Sequence, residues 1–259
     1  MTCRHFTLSL LLVVFVGLPD VARGAEAAYH HVHLTVPNPE EAAQWYIRHM
    51  GCQARPDRKD ACQLGTMYLA FRPGPSKGGS DGSAINHIGV SFANLSARMK
   101  AFETAGVKIV TPMRDAPGLF KLAFIEDPWG TRIEVVEDPE YLGFHHVHLR
   151  SSTPEAALKW YQLVLGGQAA KLKGRLDGLL YGKAWLLAAR QSEGQVAPTE
   201  GRAIDHLAFS VPDLDRAAAE IKQKGIHFSR EPWLLTNGPF AKASTVMSPD
   251  GVRVEIVQP

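Results

Sequence analysis

Thiols and clustered charge are what this chain has least of. Only three of its 259 residues are cysteine, and neither Cys52 nor Cys62 sits in a CxxC or other metal-ligand spacing, which excludes a thiolate-bound metal. Basic and acidic residues nearly balance at a formal charge of +2, and no run of Lys or Arg occurs, so nucleic acid and an acidic membrane surface are set aside as partners. A long apolar run occurs only at the amino terminus. What remains is the composition of a globular chain, long enough for one large domain or two small ones with real cores.

The amino terminus differs in kind from the rest. Arg4 precedes an apolar run over residues 6–18, and small residues follow at Ala22-Arg23-Gly24 and Ala25-Glu26-Ala27. This is the layout of a secretory signal peptide, too short for a comfortable transmembrane span. Residues 1–24 are expected to be removed, leaving an exported chain, periplasmic or secreted, with no membrane attachment after cleavage. An uncleaved anchor is the alternative. Cys3 leaves with the signal, so Cys52 and Cys62 remain alone in an oxidising compartment. They are a candidate disulfide, although a hairpin about Arg58-Lys59 sets Cys62 opposite Arg55 and not Cys52.

One stretch is written twice. Tyr29-His30-His31-Val32-His33-Leu34 returns as Phe144-His145-His146-Val147-His148-Leu149. Histidine is uncommon and has no special strand propensity, so a copied histidine-dense strand reads as a site. Strand alternation puts Tyr29, His31, His33 and Thr35 on one face, Val32, Leu34 and Val36 on the other, and turns His30 and His145 away from the site. The match continues through Pro39-Glu40 and Pro154-Glu155, Trp45-Tyr46 and Trp160-Tyr161, then Gly51 and Gly166. Self-similarity of this length means a duplicated structural unit. The expected domains are residues 25–140 and 141–259.

Within each half a fainter copy occurs. Asn86-His87-Ile88-Gly89-Val90 and Asp205-His206-Leu207-Ala208-Phe209 each open a strand that leads into a helix, and the four helices have candidate side-chain caps at Asn38, Asn94, Thr153 and Asp213. The unit is therefore strand, helix, then about three strands. Four such units make an α+β protein whose sheets have one face covered by helices and one face free.

Each half ends on a strand carrying a carboxylate after a turn: Asp127-Pro128-Trp129-Gly130 leads to Glu134, and Ser248-Pro249-Asp250-Gly251 leads to Glu255. Alternation sends Ile133, Val135, Val254 and Ile256 to the packing side and the glutamates to the free face. Two histidines and one glutamate per half then share a concave space. Neutral imidazole with carboxylate suits a divalent first-row metal, with Fe, Mn, Zn and Ni all compatible, and leaves positions open for substrate. Arg132 and Arg253, on the same face as the glutamates, either pair with a carboxylate or reach solvent. Trp45-Tyr46 and Trp160-Tyr161 read as helix packing.

These motifs resemble the vicinal oxygen chelate superfamily, which includes glyoxalase I, bleomycin-resistance proteins and extradiol dioxygenases. The resemblance covers nearly the whole chain after residue 25. It implies four βαβββ modules in two pairs, each pair an incomplete barrel around a metal site, and a small-molecule substrate. Carried over by position, it implies ligands His31, His87 and Glu134 in the first half and His146, His206 and Glu255 in the second, with Glu134 and Glu255 as catalytic carboxylates. Two departures from the family pattern narrow the choice of activity. Where glyoxalase I has a further ligand, this chain has Leu69 and Leu186; His33 and His148 then either supply a fourth ligand or contact substrate. The histidine and tyrosine expected before the Asp-Pro turn of extradiol dioxygenases are absent from both halves. A metal-dependent enzyme of glyoxalase-like, lyase or isomerase type is thus the leading expectation. An Fe(II) extradiol dioxygenase and a metal-free binding protein are the alternatives.

Overall fold

The computed structural model describes residues 27–191, 194–236 and 239–259, so the expected signal peptide lies outside the described residues. The first module comprises β1 (Ala28–Val36), α1 (Pro39–Met50), β2 (Gln53–Ala54), β3 (Ala61–Leu64) and β4 (Met67–Pro73). The second comprises β5 (Ile85–Ser91), α2 (Leu95–Thr104), β6 (Lys108–Asp115), β7 (Lys121–Glu126) and β8 (Arg132–Glu137). The third runs through β9 (Gly143–Ser151), α3 (Pro154–Leu165), β10 (Gln168–Leu172), β11 (Leu176–Tyr181) and β12 (Ala184–Arg190). The fourth runs through β13 (Ile204–Ser210), α4 (Leu214–Gln223), β14 (Phe228–Leu234), β15 (Lys242–Met247) and β16 (Arg253–Gln258). The four expected βαβββ modules are all present.

Local chemistry starts and stops the helices. Asn38, Asn94 and Asp213 each accept from the backbone N–H three residues on, at 3.3, 2.9 and 3.0 Å, which satisfies a donor that the first turn leaves open. Thr153 makes no side-chain cap, contrary to expectation; its own N–H is instead held by Ser151 Oγ at 2.9 Å. Along α1 the buried residues Ala42, Ala43, Tyr46 and Met50 recur at helical spacing and face the sheet. Tyr46 and Tyr161 are fully buried, as helix-packing residues should be.

The strands form two eight-stranded sheets, ordered β14-β15-β16-β13-β1-β4-β3-β2 and β10-β11-β12-β9-β5-β8-β7-β6. Both are mixed and open, as incomplete barrels are. The modules do not pair within each half, however. The first pairs with the fourth through antiparallel β1 and β13, and the second with the third through antiparallel β5 and β9. Connection length accounts for this. Only residues 138–142 separate β8 from β9, which keeps modules two and three in one sheet, whereas residues 74–84 and 191–203 are long enough to carry the chain between sheets. These two long connections run side by side: Ser83 bridges Ala197, and Arg202 Nε donates to the Gly79 carbonyl at 3.1 Å.

One continuous core joins the sheets. Tyr29 and Phe209 of one sheet meet Phe144 and Tyr181 of the other, with the Tyr29 ring stacked on Phe209 at 4.5 Å and edge-on to Tyr181 at 5.2 Å. In the first module, Cys52 and Cys62 form a disulfide with Cα atoms 5.6 Å apart. The register sets Cys62 opposite Ala54, one residue from the simple hairpin count, and the short β2 lets Cys52 turn back to it.

Candidate metal centres

Four β-bulges build the sites. Between β1 and β13, Tyr29 pairs with Phe209 and His31 with Ala208, so His30 is an extra residue; further along, His33 pairs with His206 and Leu34 with Ile204, so Asp205 is extra. The other sheet repeats both features, with His145 extra in β9 and Asn86 extra in β5. A bulge leaves one residue unpaired and re-aims its neighbours. Simple alternation therefore fails at these points. Tyr29 turns to the packing side, and each extra residue lies beside the ring of the histidine next to it in sequence.

Those extra side chains hold the rings. Nδ1 of His31 lies 2.9 Å from His30 Nδ1, and Nδ1 of His146 lies 2.7 Å from His145 Nδ1. His87 Nδ1 donates to Asn86 Oδ1 at 2.8 Å, and His206 Nδ1 to Asp205 Oδ1 at 2.5 Å. With Nδ1 engaged, each Nε2 faces a glutamate. Glu134 Oε2 lies 3.1 Å from Nε2 of both His87 and His146, and Glu255 Oε2 lies 3.4 Å from His31 Nε2 and 3.7 Å from His206 Nε2.

The grouping corrects the within-half assignment. His87 and Glu134 meet His146 of the second half, whereas His31 meets His206 and Glu255; neither half completes a cluster alone. His148 and His33 join the respective groups. One donor atom from each of His87, Glu134, His146 and His148 lies within 4.8 Å of every other, as do those of His31, His33 and His206. His33 Nδ1 stands 3.1 Å from His206 Nε2. Strict alternation turns His30 and His145 away and does not single out Asn86 or Asp205. A polar residue directly before each histidine, at a position where alternation asks for an apolar one, is the signal that marks them.

Two features fit these residues to a cation. Asn86 Nδ2 donates to Asp81 at 2.8 Å, which fixes its amide with Oδ1 toward His87. His87 Nδ1 is thereby taken up by an amide oxygen, which leaves Nε2 as the ring atom turned to Glu134 Oε2 at 3.1 Å. Second, His148 Nδ1 is buried without a hydrogen-bond partner, and His146 Nε2 has only its 3.1 Å contact with Glu134. Ligand bonds near 2.1 Å would separate neighbouring donors by roughly 3 Å, close to the distances seen.

Electrostatics prepare the protonation states. Burial pushes His146 down to about 4 and His148 well below its ordinary range. Burial alone would raise Glu134, yet the His146 and His87 imidazoles beside its carboxylate outweigh that and bring it well below the usual carboxylate range. In the Glu255 group, burial and the neighbouring imidazoles push His31 well down and His33 to about 3. His206 moves the other way, because the Asp205 and Glu255 carboxylates overcome the effect of burial.

The surroundings differ. A cleft of about 770 Å³ reaches His148, walled by Leu158, Leu176, Leu179 and Leu187, with Lys171 and Arg175 also lining it. The Glu255 group opens into a cavity of about 160 Å³ lined by Arg55, Arg58, Tyr68 and Phe240, the last stacked parallel to His31 at 5.7 Å. Arg132 and Arg253 both pair with carboxylates, Arg132 with Asp81 at 3.1 Å and Arg253 with Asp205 at 3.3 Å. Asp127 is structural: it accepts from Tyr46 Oη at 2.8 Å and from the Thr131 N–H at 2.7 Å, and burial raises it to about 6.

Comparison with known proteins agrees with this architecture. The model of the Glyoxalase/Bleomycin resistance protein/Dioxygenase superfamily matches residues 28–135 and 143–256. A protein of Arabidopsis thaliana described as probable chloroplastic lactoylglutathione lyase is 26% identical over 183 residues, 66% of this chain and 51% of that protein. The match thus spans about half the length of that curated relative. The crystal structure of glyoxalase I from Zea mays superposes with a TM-score of 0.67 at 18% identity, covering 90% of this chain and 92% of the maize chain. A Bacillus subtilis protein provisionally assigned as a dioxygenase gives a TM-score of 0.62 at 16% identity, covering 92% of this chain and 86% of that one.

Proposed function

The chain belongs to the Glyoxalase/Bleomycin resistance protein/Dioxygenase superfamily, and from that premise we propose that it is an exported, divalent-metal-dependent enzyme of glyoxalase-like type acting on a small molecule with adjacent oxygen atoms. The observation that carries this reading is the buried convergence of His87, His146, His148 and Glu134, with His148 Nδ1 lacking any hydrogen-bond partner. These four residues would hold one ion, and His31, His33, His206 and Glu255 a second. A bound divalent ion supplies Lewis acidity toward a carbonyl or enediolate oxygen.

The chain's own residues do the rest. Burial favours the neutral forms of His146 and His148, which offer ring nitrogens to a dication, and Glu134 offers its carboxylate. Glu255 is the less enclosed carboxylate, with its side chain 16% exposed at the edge of a cavity, and is the one placed to exchange a proton with a substrate. The apolar walls of the two cavities exclude water from part of any ligand.

The Cys52–Cys62 disulfide supports the exported reading, since such bonds persist in oxidising compartments. Ring cleavage of the extradiol kind is disfavoured: the expected histidine and tyrosine are missing, and Phe240 stacks on His31 instead. Elemental analysis of the purified chain tests the proposal. Two divalent ions per chain are expected. A content near zero would overturn it in favour of a metal-free binding protein, and a content near one would leave a single working centre.

A further inference from the structure

Behind His146 of the Glu134 cluster runs a buried chain of polar groups that has no equivalent behind His31 among the described residues. His146 Nδ1 meets His145 Nδ1 at 2.7 Å, His145 Nε2 meets Asp138 Oδ2 at 3.3 Å, and Asp138 Oδ1 accepts from Lys173 Nζ at 2.9 Å and from the Glu140 N–H at 3.1 Å. His145, His146 and Asp138 are each at most 1% exposed, so the three groups must satisfy one another. At the other cluster the corresponding residue, His30, has no hydrogen-bonded carboxylate among the described residues.

We propose that Asp138, acting through His145, fixes the tautomer of His146 and is a positioning residue of the Glu134 centre; this rests on the metal-binding reading above. An ionised carboxylate only accepts hydrogen bonds, and the ammonium of Lys173 keeps Asp138 ionised. His145 Nε2 therefore carries a hydrogen, and its Nδ1 carries a lone pair. Two lone pairs 2.7 Å apart would repel, so His146 Nδ1 carries the hydrogen in that contact. The remaining lone pair of His146 is then on Nε2, the atom 3.1 Å from Glu134. One carboxylate thus sets two rings in series. Without it His145 is free to adopt the opposite tautomer, which would donate from Nδ1, place the His146 hydrogen on Nε2 and block the ligand atom.

The test is a long-range proton–nitrogen correlation spectrum of the metal-free, histidine-labelled full chain. The expected result is hydrogen on Nε2 of His145 and on Nδ1 of His146; hydrogen on Nε2 of His146 overturns the proposal without need of any variant. In Asp138→Ala the two rings should reverse, and metal affinity at the Glu134 centre should fall about 10- to 100-fold while the Glu255 centre is unchanged. Asp138→Asn keeps an acceptor oxygen and should restore most of the loss. Parental tautomers together with parental affinity in Asp138→Ala would also overturn it. A parent chain that binds no metal yet shows the expected tautomers would refute the proposed function and leave the relay standing.

Discussion

The Glu134 and Glu255 clusters have the same inventory, three histidines and one glutamate on equivalent strands, yet are held by different neighbours. Opposite His146 stands Gly89, whereas Ala208 stands opposite His31. His87 leans on a neutral amide and His206 on a carboxylate; the buried carboxylate of the first cluster sits instead behind His146, through His145. The donors are duplicated, but the residues behind them have been exchanged. Ligand identity therefore does not fix proton affinity, because His146 titrates far below its ordinary range and His206 above it.

The comparison breaks most visibly if the wrong residues are grouped. Combining Glu134→Ala with His146→Ala should remove about one ion per chain, since both residues serve one centre, whereas Glu134→Ala with His31→Ala should remove both. Elemental analysis of the two double variants decides, and the opposite pattern would restore centres confined to each half. Gly89→Ala comes next. A Cβ there would lie 2.1 Å from His146 Nδ1, so the ring must move, metal at the Glu134 centre should be lost and stability should drop by about 1–3 kcal/mol. Ala208→Gly should cost roughly 0.5–1 kcal/mol and leave both metals, as thermal unfolding and metal content would record.

Acid should separate the centres more gently. His206 has a raised pKa in the metal-free chain, so protons compete with metal there as pH falls through that value, weakening binding by roughly tenfold per pH unit below it. His146, depressed to about 4, adds no such competition until far lower pH. The Glu255 centre should empty first on acidification, measured on Glu134→Ala and Glu255→Ala chains that each retain one centre. The same signs govern folding of the metal-free chain. The contribution from His206 is full below its unfolded pKa and lost as pH rises through the folded one, while that from Glu134 is lost as pH falls. The smallest effect on either centre belongs to the disulfide. Cys52→Ser with Cys62→Ser should lower stability by about 3 kcal/mol in a denaturant titration and leave metal content at the parental level.

Much of this was legible in the residues, because duplication repeats the helix caps, the Trp-Tyr pairs and the strand patterns at matched spacing. All eight donor residues, including His33 and His148, stand out by composition and alternation. The pairing of modules did not, since similar modules present the same faces whichever partner they take. Connection length was the usable clue, through the five residues that join β8 to β9. Bulges were hidden for a different reason. An extra residue shifts every later side chain to the other face, and a strict period of two has no room for it. Alternation therefore does not mark His30, Asn86, His145 and Asp205 as parts of the site, although each touches a donor ring.

The contact between residues 74–84 and residues 194–203 bears on how such a chain assembles. Each half owns one edge of each sheet, so a first half made alone would present β1 and β5 unpaired and meet a second copy of itself through them. Such a homodimer would rebuild two like centres from His31, His87 and Glu134, each drawn from both copies, and would come apart on dilution. Tethering the halves makes that encounter intramolecular and removes its dependence on concentration. It also frees the two centres from being identical, since each is now assembled from residues encoded only once.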